Sequence, residues 1–282
     1  MPELPEVETV RAGLGPMLAR SRIDRVQVLH PRPVRGHALG AADFEQCLLG
    51  RIFDIPRRRG KYLWFPFQDE DALLAHLGMS GQFRINRPGD VLLPHTRVVF
   101  TLTGLGDVER ELRFVDQRMF GGLSVSFGGA MLPMEIGHIA LDPFDDAFDL
   151  PAVAERMRAR RTTVKRALLD QKLVSGIGNI YADEALWQAK VHPETPTEKL
   201  TKTQARAVLE AAQQVMREAL EQGGTSFDSL YVHVNGESGY FDRSLNAYGQ
   251  ADLPCPRCGQ LIVRERFMNR SSFRCPKCQR LR

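Results

Sequence analysis

The 282-residue sequence predicts an α+β chain of more than one domain. Three observations point there. An apolar stripe at helical spacing opens the chain, short strand-like segments fill residues 22–126, and the rest is helical up to a terminal module carrying four cysteines. A chain of this length buries a full core, and two domains are expected rather than one. Composition is that of an ordinary soluble globular protein. No run is apolar enough to span a membrane and no cleavable leader pattern appears, so a soluble, cytoplasmic protein with no membrane partner is expected.

The opening helix follows from Pro5, which suits a first turn because its missing N–H is not needed there. Val7, Val10, Leu14 and Leu18 recur on one face. Gly15-Pro16 is predicted to bend or end this helix early. The strand candidates are Val26–Leu29, Arg51–Ile55, Tyr62–Phe67, Ala72–His76, Gln82–Ile85, Val98–Leu102, Leu112–Val115 and Leu123–Ser126. They are rich in β-branched and aromatic residues and punctuated by Gly, Pro and Asp, which predicts a β-sandwich or barrel. Residues 127–150, with Gly128-Gly129, Pro133 and Pro143, read as a connection.

Beyond Pro151 the pattern turns helical. One helix pair, Val164–Lys172 and Ile180–Trp187, brackets Ser175-Gly176-Ile177-Gly178-Asn179, with Asn179 placed as the N-cap of the second. Thr201 with Gln204 forms a capping-box pattern ahead of the stripe Leu209, Ala212, Met216 and Leu220, which stops at Gly223-Gly224. Residues 227–250 are polar and read as a long loop, a feature that is often functional. The expected domains are residues 1–133, a linker at 134–150, a helical domain at 151–250 and a terminal module at 251–282.

That module is the clearest local signal. Cys255, Cys258, Cys275 and Cys278 read C-x2-C-x16-C-x2-C, inside the spacing range of tetrahedral zinc sites. Two disulfides are the alternative, but a reducing compartment disfavours them. One structural Zn2+ per chain is expected. Cys47 lies apart, in an apolar stretch, and reads as a buried thiol without a role. Charge is also concentrated here. The overall charge is +4, but residues 253–282 carry eight Lys and Arg against Glu265 alone, a net +7 that leaves −3 for the remainder. Such a module suits a polyanion, although charge alone does not separate that from a solvated basic face.

The N-terminus carries candidate chemistry. Removal of Met1 would leave Pro2 with a free secondary amine, and an α-amino group titrates near ~8 against ~10.4 for lysine. The unprotonated amine can attack a sugar anomeric carbon to give an iminium, with Glu3 shuttling protons. Taken alone, a Met-Pro start carries no such meaning. The same holds for other segments. Gly176–Asn179 can present helix-start N–H groups to a phosphate, or can simply connect two helices. Met79 within His76–Gly81, and Arg118 with Phe120 within Asp116–Gly122, sit on tight turns where a side chain can wedge into a base stack. Met and Phe are more often core residues. Lys61, after Arg57-Arg58-Arg59-Gly60, can contact phosphate or belong to an ordinary surface charge run.

Together these segments resemble the bacterial formamidopyrimidine-DNA glycosylases. The resemblance is carried by Met1–Thr9, Gly60–Leu63, His76–Gly81, Val174–Glu184, Gly239–Phe241 and the four-cysteine finger, and it runs the length of the chain. It implies an N-terminal β-sandwich, a helix-two-turn-helix module and a zinc finger. It implies a bifunctional glycosylase and lyase that excises oxidised purines, 8-oxoguanine and formamidopyrimidines, from damaged double-stranded DNA, acting as a monomer. Pro2 resembles the family's Schiff-base nucleophile, Glu3 its general acid and Lys61 the lysine of β-elimination. Met79, Arg118 and Phe120 match the residues that fill the void and face the orphaned cytosine. Asn179 and Arg270 match a phosphate clamp, with Arg270 also linked to δ-elimination, and His95 and Arg160 align with further DNA contacts. The family's void-filling turn often reads Asp-Pro-Arg-Arg-Phe-Gly, whereas Gln117 and Met119 stand here. A sibling of the endonuclease VIII type, acting on oxidised pyrimidines, is the alternative, and Leu4 favours the purine branch. A non-catalytic DNA-binding protein is a third reading, against which the Pro2-Glu3 pair argues.

Overall fold

The computed structural model describes residues 2–223 and 245–281. The chain divides between His138 and Ile139 into two compact units. Among the described residues, 2–138 belong to the first and 139–222 with 245–281 to the second.

The first unit begins with α1 (Leu4–Leu18), β1 (Arg22–Val28), α2 (Gly40–Leu48) and β2 (Arg57–Arg59). It continues through β3 (Tyr62–Pro66), β4 (Ala72–His76), β5 (Gly81–Asn86), β6 (Thr96–Thr103), β7 (Glu109–Asp116) and β8 (Gly122–Ser126). Two four-stranded antiparallel sheets result, ordered β1-β6-β7-β5 and β2-β3-β4-β8. Phe65, Leu73 and Leu123 of the second sheet and Phe83, Phe100 and Phe114 of the first share one core with Phe53 and the apolar stripe of α1. The expected sandwich is therefore present, with α1 packed on it.

Three local expectations are corrected. α1 continues through Gly15-Pro16 to Leu18, because Leu14 and Leu18 are both fully buried and hold the last turn down. Residues 40–48 form a helix where strand-like texture was expected, with Phe44 and Leu48 buried one turn apart. Residues 51–55 supply only isolated bridges, Ile52 to Arg22 and Phe53 to Phe67, in place of a strand.

The second unit holds α3 (Leu150–Arg158), α4 (Val164–Leu169), α5 (Asn179–Gln188) and α6 (Lys202–Glu221), then the hairpin β9 (Val263–Phe267) and β10 (Arg270–Arg274). The capping box of α6 is formed: Thr201 Oγ1 accepts the Gln204 N–H at 3.1 Å, and Gln204 Oε1 accepts the Thr201 N–H at 3.0 Å. Asn179 is the first residue of α5 and Gly178 is its N-cap, not Asn179 as the sequence suggested. Most of the polar stretch 227–250 lies outside the described residues. No helix among those described is long and apolar enough to cross a membrane.

Candidate active site and nucleic-acid interface

In the first unit the N-terminus is anchored. Pro2 and Glu3 are both buried, Glu3 with 3% of its surface exposed. A capping box starts α1, with Glu6 Oε2 accepting the Glu3 N–H at 2.8 Å. Further along α1, Glu8 binds Arg58 of β2 at 2.9 Å, and Arg11 donates to the Pro56 carbonyl at 3.2 Å. Residues 8 and 11 thus meet 58 and 56 in opposite chain directions. β2 runs antiparallel to α1 and leads into the Gly60-Lys61 turn. Lys61 is buried there with 7% exposure.

The β3–β4 pairing places Tyr62 opposite His76, their rings 4.8 Å apart, so His76 joins the same end of the sheet. Burial, reinforced by the charges of Lys61 and Arg35, pushes His76 down to about 4. The ring is neutral at physiological pH. Its Nδ1 accepts the Gly78 N–H at 3.1 Å, which places the ring proton on Nε2.

His76 leads into the turn that carries Met79, and that turn sits on the one carrying Arg118 and Phe120. At Gly78, φ is +63°, and a Cβ would lie 2.4 Å from both Gly121 N and the Phe120 carbonyl carbon. Only glycine permits that approach. Buried Asp116 ties the two turns together. Its Oδ1 accepts from Ser80 Oγ at 2.5 Å and its Oδ2 from the Gly121 N–H at 2.8 Å, while Ser80 Oγ accepts the Arg118 N–H at 2.8 Å. Phe120 is 47% exposed and the Arg118 guanidinium lies 5.4 Å from its ring centre. His95 reaches the same region through its backbone, its carbonyl accepting the Asp116 N–H at 3.0 Å.

The second unit gathers the other predicted residues. Asn179 Nδ2 donates to the Ser271 carbonyl at 2.9 Å, which sets the start of α5 beside Arg270 at the start of β10. Among the described residues the buried Asn179 Oδ1 atom has no hydrogen-bond partner, and Arg270 is exposed. Arg160 is ion-paired with Asp170 at 2.5 Å.

Sequence reasoning did not single out the residues that seat the hairpin on α5. Asp183 is buried and ion-paired with buried Lys165 at 2.6 Å, while accepting from Ser272 Oγ at 3.0 Å and the Phe273 N–H at 2.9 Å. Burial raises Asp183 to about 6 against the pull of Lys165, so the carboxylate is charged at neutral pH. Its neighbour Glu184, also buried, accepts the N–H groups of Asn246, Ala247 and Tyr248 at 2.7 to 3.1 Å. Two adjacent acids on a helix give no sequence signal of burial, since most such acids face water.

The four cysteines of the finger cluster with all Sγ atoms within 4.8 Å of one another, and Cys258 Sγ lies 3.5 Å from those of Cys275 and Cys278. These spacings are too long for S–S bonds and near the roughly 3.8 Å edge of a tetrahedron with ~2.3 Å metal–sulfur bonds. The donor set fits one closed Zn2+ site. Trp187 of α5 supports it, donating from Nε1 to Cys255 Sγ at 3.4 Å. Cys47 is half-buried and donates to Asp43, which also holds His37 at 2.6 Å. Burial and Asp43 both push this thiol up, so it is not a nucleophile.

An anchored N-terminal proline, a glycine-supported wedge and a basic zinc finger on a helix pair define an enzyme that works on DNA. The comparisons make this specific. Residues 1–123 match the formamidopyrimidine-DNA glycosylase N-terminal domain, 139–230 its H2TH domain, and 252–281 the zinc finger found in FPG and IleRS. Formamidopyrimidine-DNA glycosylases of a Nocardioides species and of Salinispora tropica are 60% and 57% identical over 279 residues, covering 99% of this chain and 94% and 96% of theirs. The Lactococcus lactis enzyme solved with abasic-site DNA is 31% identical, with TM-score 0.88 and 99% of each chain covered. A complex of MutM with DNA containing carbocyclic 8-oxo-G gives 30% identity and TM-score 0.86, covering 99% of this chain and all of that one. The chain belongs to the formamidopyrimidine-DNA glycosylase family, and is a DNA-binding glycosylase with a structural zinc finger.

Proposed function

We propose that the chain removes 8-oxoguanine and formamidopyrimidine bases from damaged duplex DNA, acting as a cytoplasmic monomer, and then cuts the strand by β,δ-elimination. After loss of Met1, the lone pair of the Pro2 amine attacks the sugar C1′. The glycosidic bond breaks and the base leaves with the proton of the Pro2 amine; the C1′–O4′ bond then opens, O4′ taking a proton, and an iminium joins Pro2 to C1′. Glu3 serves as the general acid at this step. The iminium acidifies the C2′ proton, whose removal expels the 3′ phosphate, with Lys61 assisting. A second elimination releases the 5′ phosphate, and Arg270 aids that step.

One observation carries this reading: Pro2 and Glu3 are buried at a capped helix start, and Lys61 is buried in the turn after β2, the strand that Glu8 and Arg11 of α1 meet. Most chain termini fray, and a nucleophile must be held. Met79, Arg118 and Phe120 fill the space the extruded base leaves, which offsets the few kcal/mol that flipping costs. His95 and Arg160 add DNA contacts, and Asn179 with Arg270 grips phosphate, Asn179 donating through the second N–H of Nδ2. The same reading assigns residues 1–133 to catalysis, 134–150 to a linker, 151–250 to DNA binding and 251–282 to the finger.

Single-turnover excision tests it. Duplexes carrying 8-oxoguanine opposite cytosine should react faster than those carrying thymine glycol opposite adenine. The reverse order would move the chain to the pyrimidine branch.

A further inference from the structure

The turn that presents Arg118 and Phe120 has an unusual problem. Gln117-Arg118-Met119-Phe120 contains no proline to fix φ and no glycine to relax it, yet Met119 sits at φ +55°. A residue with a Cβ adopts that left-handed backbone only when its surroundings impose it. Phe120 and Arg118 are both exposed, so packing within the chain does not aim them. Their direction depends on the backbone beneath.

That backbone is held from two sides. On one side Ser80 and Asp116 accept its N–H groups, as described above. On the other, three successive carbonyls accept from two arginines of the short 3-10 segment Arg32–Val34 and its cap. Arg32 Nε donates to the Met119 carbonyl at 3.2 Å, Arg35 NH2 to Phe120 at 3.4 Å, and Arg35 NH1 to Gly121 at 2.9 Å. Arg35 NH1 also donates to the Arg32 carbonyl at 2.8 Å, locking the two arginines into one brace. Pro33 and Val34, both buried, root that brace in the core. A planar guanidinium can span two adjacent carbonyls, and a lysine ammonium does so poorly.

We propose that Arg32 and Arg35 are positioning residues that fix the Met119–Gly121 turn and thereby set discrimination for the base opposite the lesion. This rests on the reading that Arg118 and Phe120 enter the void. Arg118 can donate to the acceptor edge of cytosine and finds a poorer match in adenine. A loosened turn lets Arg118 wander, which costs the cytosine complex its hydrogen bonds and the adenine complex little. Supporting groups must hold such a reader within a fraction of an ångström.

The test compares wild type with Arg35→Ala, Arg35→Lys and Arg32→Ala, measuring single-turnover excision of 8-oxoguanine opposite cytosine and opposite adenine, with Tm alongside. In Arg35→Ala the cytosine rate should fall and the adenine rate hold, shrinking the ratio by about fivefold to tenfold, the effect of one or two hydrogen bonds. Arg35→Lys keeps the charge but not the fork, so it should resemble Arg35→Ala; Arg32→Ala should be milder. Should Arg35→Ala fold poorly, the lysine variant carries the test. Rates falling equally opposite both bases, as for a plain phosphate contact, would overturn the proposal, and so would a ratio unchanged within about twofold. A wild type that excises no 8-oxoguanine opposite either base would instead overturn the functional reading itself.

Discussion

Replacing Asp183 with Asn should cripple the second unit more than any surface change in the chain. The side chain keeps its volume and can still accept from Ser272 Oγ or the Phe273 N–H. It no longer neutralises Lys165, whose side chain is wholly buried 2.6 Å away and 4.6 Å from the Phe267 ring centre. Breaking one side of a buried pair costs about 3–5 kcal/mol, because the buried ammonium loses its counter-charge. With a urea slope of about 2 kcal/mol per molar, the midpoint should drop by roughly 2 M. The chain has two tryptophans, so Trp64→Phe leaves Trp187 on α5 as a reporter of this unit. Lys165→Met added to Asp183→Asn should recover much of the loss, since removing both charges is often nearly neutral. A single variant costing under about 1 kcal/mol, or a double variant no better than the single, would refute the reasoning.

Gly78→Ala should destabilise the first unit by about 2–4 kcal/mol, summing backbone strain and a clash with Phe120 and Gly121, and slow excision; urea denaturation and single-turnover rates check both. His76, held near 4 when folded against about 6.5 unfolded, takes up a proton more readily in the unfolded chain. Its stabilising contribution is therefore full above pH 6.5 and lost as pH falls toward 4, and His76→Gln should flatten stability over that window. Stripping zinc should release one ion per chain, red-shift Trp187 as its contact with Cys255 is lost, and weaken binding to damaged and undamaged DNA alike. Zinc-free protein that keeps its affinity would show that the finger does not place Arg270.

The parts legible in the sequence are those whose signal is local. The α1 stripe, the α6 capping box, most strand cores and the cysteine spacing each depend on neighbours a few residues away. Contacts made between distant segments were not legible. α2 carries too few apolar positions to separate it from the surrounding strands. Pro16 reads as a helix breaker until Leu14 and Leu18 are known to be buried. Asn179 looked like a cap because its side chain suits one, yet it is spent on Ser271 in the finger. Asp183, Glu184 and Lys165 carry no local sign of burial, and only the hairpin and residues 246–248 set against α5 show why they are inside. Arg32 and Arg35 act on a turn more than eighty residues away, a separation no sequence window spans.

In the proposed mechanism the reacting atom is the nitrogen of Pro2. Borohydride reduction of the protein with a duplex carrying 8-oxoguanine opposite cytosine, followed by digestion and peptide mass spectrometry, tests it directly. One covalent adduct is expected, on the peptide beginning at Pro2 and at its amine. An adduct on Lys61 or another lysine, with the Pro2 peptide recovered unmodified, would contradict it.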